Sequence, residues 1–202
     1  MGKLVLEIQT SLDGFIASPD GNTNWMLWSW GPEWTWDAEL QQYHNELTLS
    51  ADCILISRQM AEEGFIAHWQ NAAMNPDSPQ YTFALHITDT PKVVFSKTLK
   101  KASPIPGGWE NTDIVAGDFA NAINKLKQHY HRDIPVYGGA TFVASLIKED
   151  LIDEFHLLVN PVAIGGGLSI FKTIDKNLQL TLIKSKAFSC GVVLLHYKSI
   201  MS

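Results

Sequence analysis

Leu4, Leu6 and Ile8 alternate with Val5, Glu7 and Gln9, a period-two pattern that predicts a strand. Thr10-Ser-Leu-Asp-Gly ends it and opens a polar loop running from Ser11 to Asn24. Leu40, Tyr43, His44 and Leu47 then recur at helical spacing, so residues 37–50 should form an amphipathic helix capped by Asp37. The apolar run from Cys53 to Ile56 reads as the next strand. Ser78 and Pro79 supply the cap and first position of another helix, which Pro91 closes before a strand over Lys92 to Phe95.

The same rhythm continues to residue 159. Ile114 and Val115 predict a strand, Asp118 a cap, and Phe119, Ile123, Leu126 and Tyr130 the apolar stripe of a helix. Ile134 to Tyr137 is the next strand; after Gly138 and Gly139 a helix turns Phe142, Val143, Leu146 and Ile147 inward, and Glu154 to Val159 follows as a strand. Strand, helix and strand in alternation imply parallel pairing with right-handed crossovers. The last third departs from this: Leu178 to Ser185 and Val192 to Tyr197 are joined by a few residues around Ser189 to Gly191, which predicts an antiparallel hairpin at a sheet edge. The irregular stretches 64–77 and 101–111 are too short to separate domains, so a single domain over 1–202 is expected.

Composition narrows the function classes. A net charge of -6 offers no basic footprint for a phosphate backbone, which argues against nucleic-acid binding. The start, Met-Gly-Lys-Leu-Val-Leu-Glu, puts an acid where a signal peptide is apolar, and no run approaches the ~18 apolar residues that span a bilayer. A cytoplasmic protein without membrane contact is expected. Cys53 and Cys190 both lie in apolar, strand-like runs and read as buried thiols. The histidines at 44, 68, 86, 129, 131, 156 and 196 show no His-Glu-x-x-His pattern, so no metal site is expected.

The segment with most chemical content is Ile134-Pro-Val-Tyr-Gly-Gly-Ala-Thr141, a strand running through two glycines into a helix. Free amides at such a helix start bind anions, and the glycines let a diphosphate approach the backbone; the same glycines also serve a plain tight turn. Ser57-Arg58 and Ser96-Lys97-Thr98 end two other strands, and ligands of open α/β sheets gather at those carboxyl ends. A guanidinium and an ammonium beside hydroxyls suit the 2′-phosphate of NADP. The Gly-x-Gly-x-x-Gly fingerprint, the phosphate loop ending Gly-Lys-Ser/Thr and the Gly-x-Ser-x-Gly elbow are all absent. Ile164-Gly-Gly-Gly-Leu-Ser-Ile-Phe171 reads as a flexible turn or bulge. Tryptophans at 25, 28, 30, 34 and 36 either cover a sheet edge or dimer contact, or enclose a planar heterocycle. Asp13, at the mouth of the first strand, either touches a polar substrate and relays a proton or makes an ordinary Asp-Gly turn.

Taken in order, Ser11-Leu-Asp-Gly-Phe-Ile-Ala17, Ala51-Asp-Cys-Ile-Leu-Ile-Ser-Arg58, Pro91-Lys-Val-Val-Phe-Ser-Lys-Thr-Leu99, Val136-Tyr-Gly-Gly-Ala-Thr141, and Leu151-Ile-Asp-Glu154 with Asn160-Pro161 resemble the dihydrofolate reductase-like superfamily. Within it, the chain is similar to the reductase (RibD C-terminal) domain of riboflavin biosynthesis. The resemblance implies a three-layer α-β-α fold, with a mostly parallel central sheet and a C-terminal antiparallel hairpin. It also implies NADPH as cofactor and hydride transfer to a C=N or C=O of a planar pyrimidine- or pterin-like substrate. By the same resemblance Ser57, Arg58, Ser96, Lys97 and Thr98 would hold the adenosine phosphates, and Gly138, Gly139, Ala140 and Thr141 the diphosphate. Ala17 would line the nicotinamide side, Asp13 would be the catalytic group on the substrate side, and Trp25 and Trp28 would bind substrate. A homodimer is implied as well. The family commonly has glycine before the arginine and threonine after it, where this chain has Ser57 and Gln59. A second reading keeps the fold without turnover: a homodimeric nucleotide-binding or regulatory module.

Overall fold

The computed structural model describes residues 1–100 and 103–200. In chain order the elements are β1 (Leu4–Thr10), α1 (Ala38–Leu49), β2 (Ile54–Ser57), α2 (Arg58–Glu63), α3 (Phe65–Ala72), α4 (Tyr81–Asp89), β3 (Lys92–Phe95) and β4 (Thr112–Val115). They continue with α5 (Phe119–His129), β5 (Ile134–Tyr137), α6 (Ala140–Lys148), β6 (Glu154–Val159), β7 (Leu180–Ala187) and β8 (Val193–Ser199). The expected alternation of strands and helices, and the terminal hairpin, are present.

Two compact units divide these elements: Met1–Lys3 with Tyr43–Gly139, and Leu4–Gln42 with the described residues from Ala140 onward. In the first, β4, β3, β2 and β5 pair in parallel in that order, with Ile56 opposite Val94 on one side and Tyr137 on the other. The strands β2 and β5 are buried along their whole length, which is why they read as unbroken apolar runs rather than alternating ones. Asp118 Oδ1 accepts the N–H of Asn121 at 2.8 Å and starts α5, as its sequence predicts. Lys92 is buried, and its Nζ donates to Thr88 O at 2.9 Å and Thr90 O at 2.8 Å, closing the carboxyl end of α4; burial lowers its ammonium to about 8.

Two expectations in this unit need correction. Residues 64–77 are not irregular but contain α3, which buries Phe65, Ile66 and Trp69. Gly64, at φ 101°, ends α2 and starts α3, and its left-handed conformation hides the periodicity that a continuous helix would show. Helix α4 begins at Tyr81 rather than at Pro79, because Ser78 spends its hydroxyl on the N–H of Gln80 in a preceding turn. Of the stretch 101–111, residues 101 and 102 lie outside the described residues.

In the second unit β1 pairs in parallel with β6, and β6 pairs antiparallel with β8, which carries β7 as the outer strand. Asp37 caps α1, accepting the N–H of Leu40 at 2.9 Å, and its second oxygen accepts Ser189 Oγ and Cys190 N at 2.9 Å each. Despite the opposing desolvation, these bonds hold the carboxyl well below its ordinary range. Cys190 therefore sits half-buried in the β7–β8 turn, not in a strand, whereas Cys53 is buried and its thiol is pushed up to about 12 by burial. Phe142 is half-buried, while Val143, Leu146 and Ile147 face inward as expected.

Candidate cofactor and substrate sites

The carboxyl ends of β5, β2 and β3 lie side by side because the three strands are parallel neighbours. They carry Gly138-Gly139, Ser57-Arg58 and Ser96-Lys97-Thr98. Both serines are buried, and their hydroxyls serve the backbone. Ser57 Oγ accepts Met60 N at 3.2 Å and caps α2; Ser96 Oγ accepts Thr98 N at 3.2 Å and Leu99 N at 2.9 Å. As acceptors of these amides the two residues shape the strand tips from within.

Arg58, Lys97 and Thr98 are exposed. Arg58 Nη1 donates to Thr98 Oγ1 at 3.1 Å, and its Nε lies 3.5 Å from Glu62 Oε2 one helical turn away, yet the side chain keeps 52% of its exposure. The guanidinium is thus oriented across two strand tips without being neutralised by burial. Beside it, a Cβ built on Gly139 would meet nothing nearer than Gln59 Oε1 at 3.8 Å. No neighbouring group demands glycine there, so the strand tip leaves its flank open. Ala140 and Thr141 begin α6, where the first amides of a helix have no intrahelical acceptor.

At the end of β1 the second unit builds a different arrangement. Ser11 Oγ donates to Asp13 Oδ1 at 2.6 Å, Ile164 N to the same oxygen at 3.2 Å, and Gly165 N to Oδ2 at 2.7 Å. The Ser11 hydrogen bond foremost, with the two amides, keeps this exposed carboxyl below its ordinary value. Through these bonds Asp13 fastens the glycine-rich loop that follows β6. Ala17 is tied to the same loop: Leu168 N donates to Ala17 O and Ile16 N to Leu168 O, both at 2.9 Å. Gly167 is required by this approach, since a Cβ there would stand 2.1 Å from Ala17 O. The segment 164–171 is therefore a turn, as its sequence suggests, and a fixed one.

The tryptophans form a small core of their own. Trp28 packs edge-on to Trp36 at 4.8 Å, tilted against Trp34 at 5.2 Å and stacked with Trp30 at 6.2 Å. With 4% of its surface exposed and Nε1 donating to Gly31 O, Trp28 has almost no ring face to offer a ligand. Its contribution is to hold the loop, whereas Trp25 and Trp30 are half-buried and keep accessible surface.

Two sets of contacts in this unit have no local signal in the sequence. Asn160, 1% exposed, accepts Leu27 N at 3.0 Å and donates to Gln9 Oε1 at 3.2 Å, while Gln9 Nε2 donates to Trp28 O at 2.7 Å. One buried amide pair so joins β1, the end of β6 and the tryptophan loop. The other set is the approach of Glu154, His156 and His196 across β6 and β8. Residues forty positions apart give no spacing signal; only the strand register brings them together.

Known proteins extend this picture. A model of the RibD C-terminal domain matches residues 2–194. The uncharacterized protein YyaP of Bacillus subtilis is 29% identical over 198 residues, covering 96% of this chain and 94% of its own. A solved structure of a putative riboflavin biosynthesis protein from Shewanella sp. PV-4 is 24% identical, covers all of both chains and superposes with a TM-score of 0.69. Dihydrofolate reductase from Enterococcus faecalis, complexed with NADP(H), is 12% identical, with a TM-score of 0.55 over 98% of this chain and 97% of its own. These likenesses show the dihydrofolate reductase-like α/β fold. Among the described residues, no helix is long and apolar enough to cross a membrane.

Proposed function

The chain belongs to the RibD C-terminal domain family, and from that premise we propose that it is an NADPH-dependent reductase. Its substrate is a small planar, pyrimidine- or pterin-like molecule with a reducible C=N or C=O. The observation that carries this reading is the oriented, exposed Arg58 guanidinium, hydrogen-bonded to Thr98, with the exposed Lys97 on the same neighbouring tip and an open flank at Gly139. That donor set fits a phosphorylated dinucleotide: two cations and a hydroxyl for the 2′-phosphate, glycine backbone and helix-start amides for the diphosphate.

In this assignment Arg58, Lys97 and Thr98 grip the adenosine phosphate, and Ser57 and Ser96 keep the two tips in shape from below. Gly138 and Gly139 admit the diphosphate, and Ala140 and Thr141 offer amides to it. The bound nicotinamide supplies the hydride; the protein supplies position and electrostatics. Ala17 lines the nicotinamide side with its carbonyl already bound to Leu168, and Asp13 acts on the substrate side by fixing residues 164–165. Trp25 presents a ring to the substrate, and Trp28 backs the loop that carries it. The homodimer contact is assigned to the outer strand β7, an assignment supported by its exposed Leu182 and Ile183 and tested by light scattering.

The assignment is tested by titrating NADPH and NADH into the wild type and Arg58→Ala. Loss of a charge-assisted phosphate contact costs about 1.5 to 3 kcal/mol, roughly ten- to a hundredfold in affinity, and the loss should fall on NADPH alone. Equal weakening of both cofactors, or no binding of NADPH to the wild type, overturns the reading.

A further inference from the structure

His156 and His196 face one another as a cross-strand pair of β6 and β8, and Glu154 lies two residues from His156 on the same face. The imidazoles stack with centroids 3.9 Å apart and planes 24° from parallel; because each lone pair lies in its ring plane, an ion shared by both requires one ring to turn out of this stack. Both Nε2 atoms turn toward one carboxylate oxygen: Glu154 Oε2 is 3.1 Å from His196 and 3.6 Å from His156. All three ligand atoms lie within 4.8 Å of one another. Bonds of ~2.0 to 2.1 Å at the tetrahedral angle place neighbouring ligand atoms about 3.3 Å apart, and both nitrogen-to-oxygen separations lie within a few tenths of an ångström of that edge.

We propose that Glu154, His156 and His196 bind a divalent metal ion of the zinc type, which clips β6 to β8, with Glu7 of β1 at the fourth position. Glu7 is the register partner of His156 on the opposite side from His196, so its side chain projects to the same face. Two imidazoles and two carboxylates balance a dication and supply the borderline nitrogen and oxygen donors that zinc prefers. His156 is 4% exposed and the side chains of His196 and Glu154 16% each, so the ion enters past His196 and Glu154 and is then shielded.

Coordination uses the Nε2 lone pair of each imidazole, so on His156, whose Nε2 lies 3.6 Å from Glu154 Oε2, the ring proton must sit on Nδ1. At His196 the hydrogen bond to Glu154 gives way to the metal, with the ring proton carried on Nδ1. The other charges in register are Lys198 opposite Glu154 and Lys184 opposite His196, both exposed and screened by solvent. The site owes nothing to the cofactor assignment and stands or falls separately from it.

Dialysis of the full chain against a chelator, followed by titration with Co²⁺ and displacement by Zn²⁺, tests the proposal. One equivalent of Co²⁺ should give a tetrahedral visible band that Zn²⁺ abolishes, and Zn²⁺ should raise the melting temperature. His196→Gln and Glu154→Gln should each weaken Co²⁺ binding at least about tenfold, while His129→Gln leaves it unchanged. In the unmutated protein, Co²⁺ should displace or broaden the ring resonances of His156 and His196 and not those of His129 and His131, a readout independent of any variant's folding. Absence of the band, equal affinity in His196→Gln, or perturbation confined to His129 and His131 overturns it.

Discussion

The tips of β2 and β3 and the paired face of β6 and β8 hold their charged groups in opposite ways. At the tips, Arg58 and Lys97 are long and exposed, Arg58 held by the Thr98 hydroxyl and by Glu62, so their field reaches into solvent and is screened there. On the β6–β8 face, His156 is enclosed, its charge suppressed by burial, and its neighbours fixed by strand register. The first arrangement suits capture of a diffusing anion. The second suits a permanent structural device whose state responds to pH or metal more than to ionic strength.

Four measurements separate these regimes, from large effects to small. Asn160→Ala strips partners from the buried Gln9 side chain and the Leu27 amide and should cost about 4 kcal/mol in chemical denaturation. A loss under about 1 kcal/mol would mean the tryptophan loop is held by ring packing alone.

Acid comes next. His156 has a folded pKa below its ordinary value of 6.5, so the unfolded chain binds more protons between pH 6.5 and about 4. Stability should therefore be complete above 6.5 and fall as the pH drops through that window, by up to about 3 kcal/mol. His156→Phe should flatten the slope; an unchanged slope would place its origin elsewhere.

Ionic strength should sharpen the contrast in the other direction. Raising salt from 0.05 to 0.5 M, a range of roughly threefold in Debye length, should weaken NADPH binding several-fold and leave Co²⁺ affinity within about twofold. Similar losses for both would erase the distinction between exposed and enclosed sites. The smallest effect concerns Asp13→Asn, which should leave the melting temperature almost unchanged while hydrogen exchange at the Ile164 and Gly165 amides accelerates. Protection retained at Gly165 would show the loop is fixed by Leu168 alone.

Much of the scaffold is legible in the sequence where a single local rule dominates. Asp37 and Asp118 announce their helices because capping needs only a short acid before an apolar stripe. The strands β2 and β5 are legible because burial on both faces leaves no polar interruption. Helix α3 is not, since Gly64 splits its pattern from that of α2. The tips of β2, β3 and β5 are legible as a site because parallel neighbours bring equivalent ends together, whatever their exact register. His156 and His196 meet only through one particular antiparallel register, and a slip of one residue would send the two rings to opposite faces. Asp13 was visible as a residue, but that its oxygens face the amides of residues 164 and 165 depends on two loops that no local pattern connects.

The close passage of the Ala17 carbonyl over residue 167 has a practical corollary for redesign. Saturation mutagenesis of the triple-glycine turn will tolerate no larger residue at 167, and 165 carries a left-handed backbone at φ 74°. Position 166 has neither restriction and nothing within 4 Å, so it is where a larger side chain can be introduced without disturbing the frame that carries it.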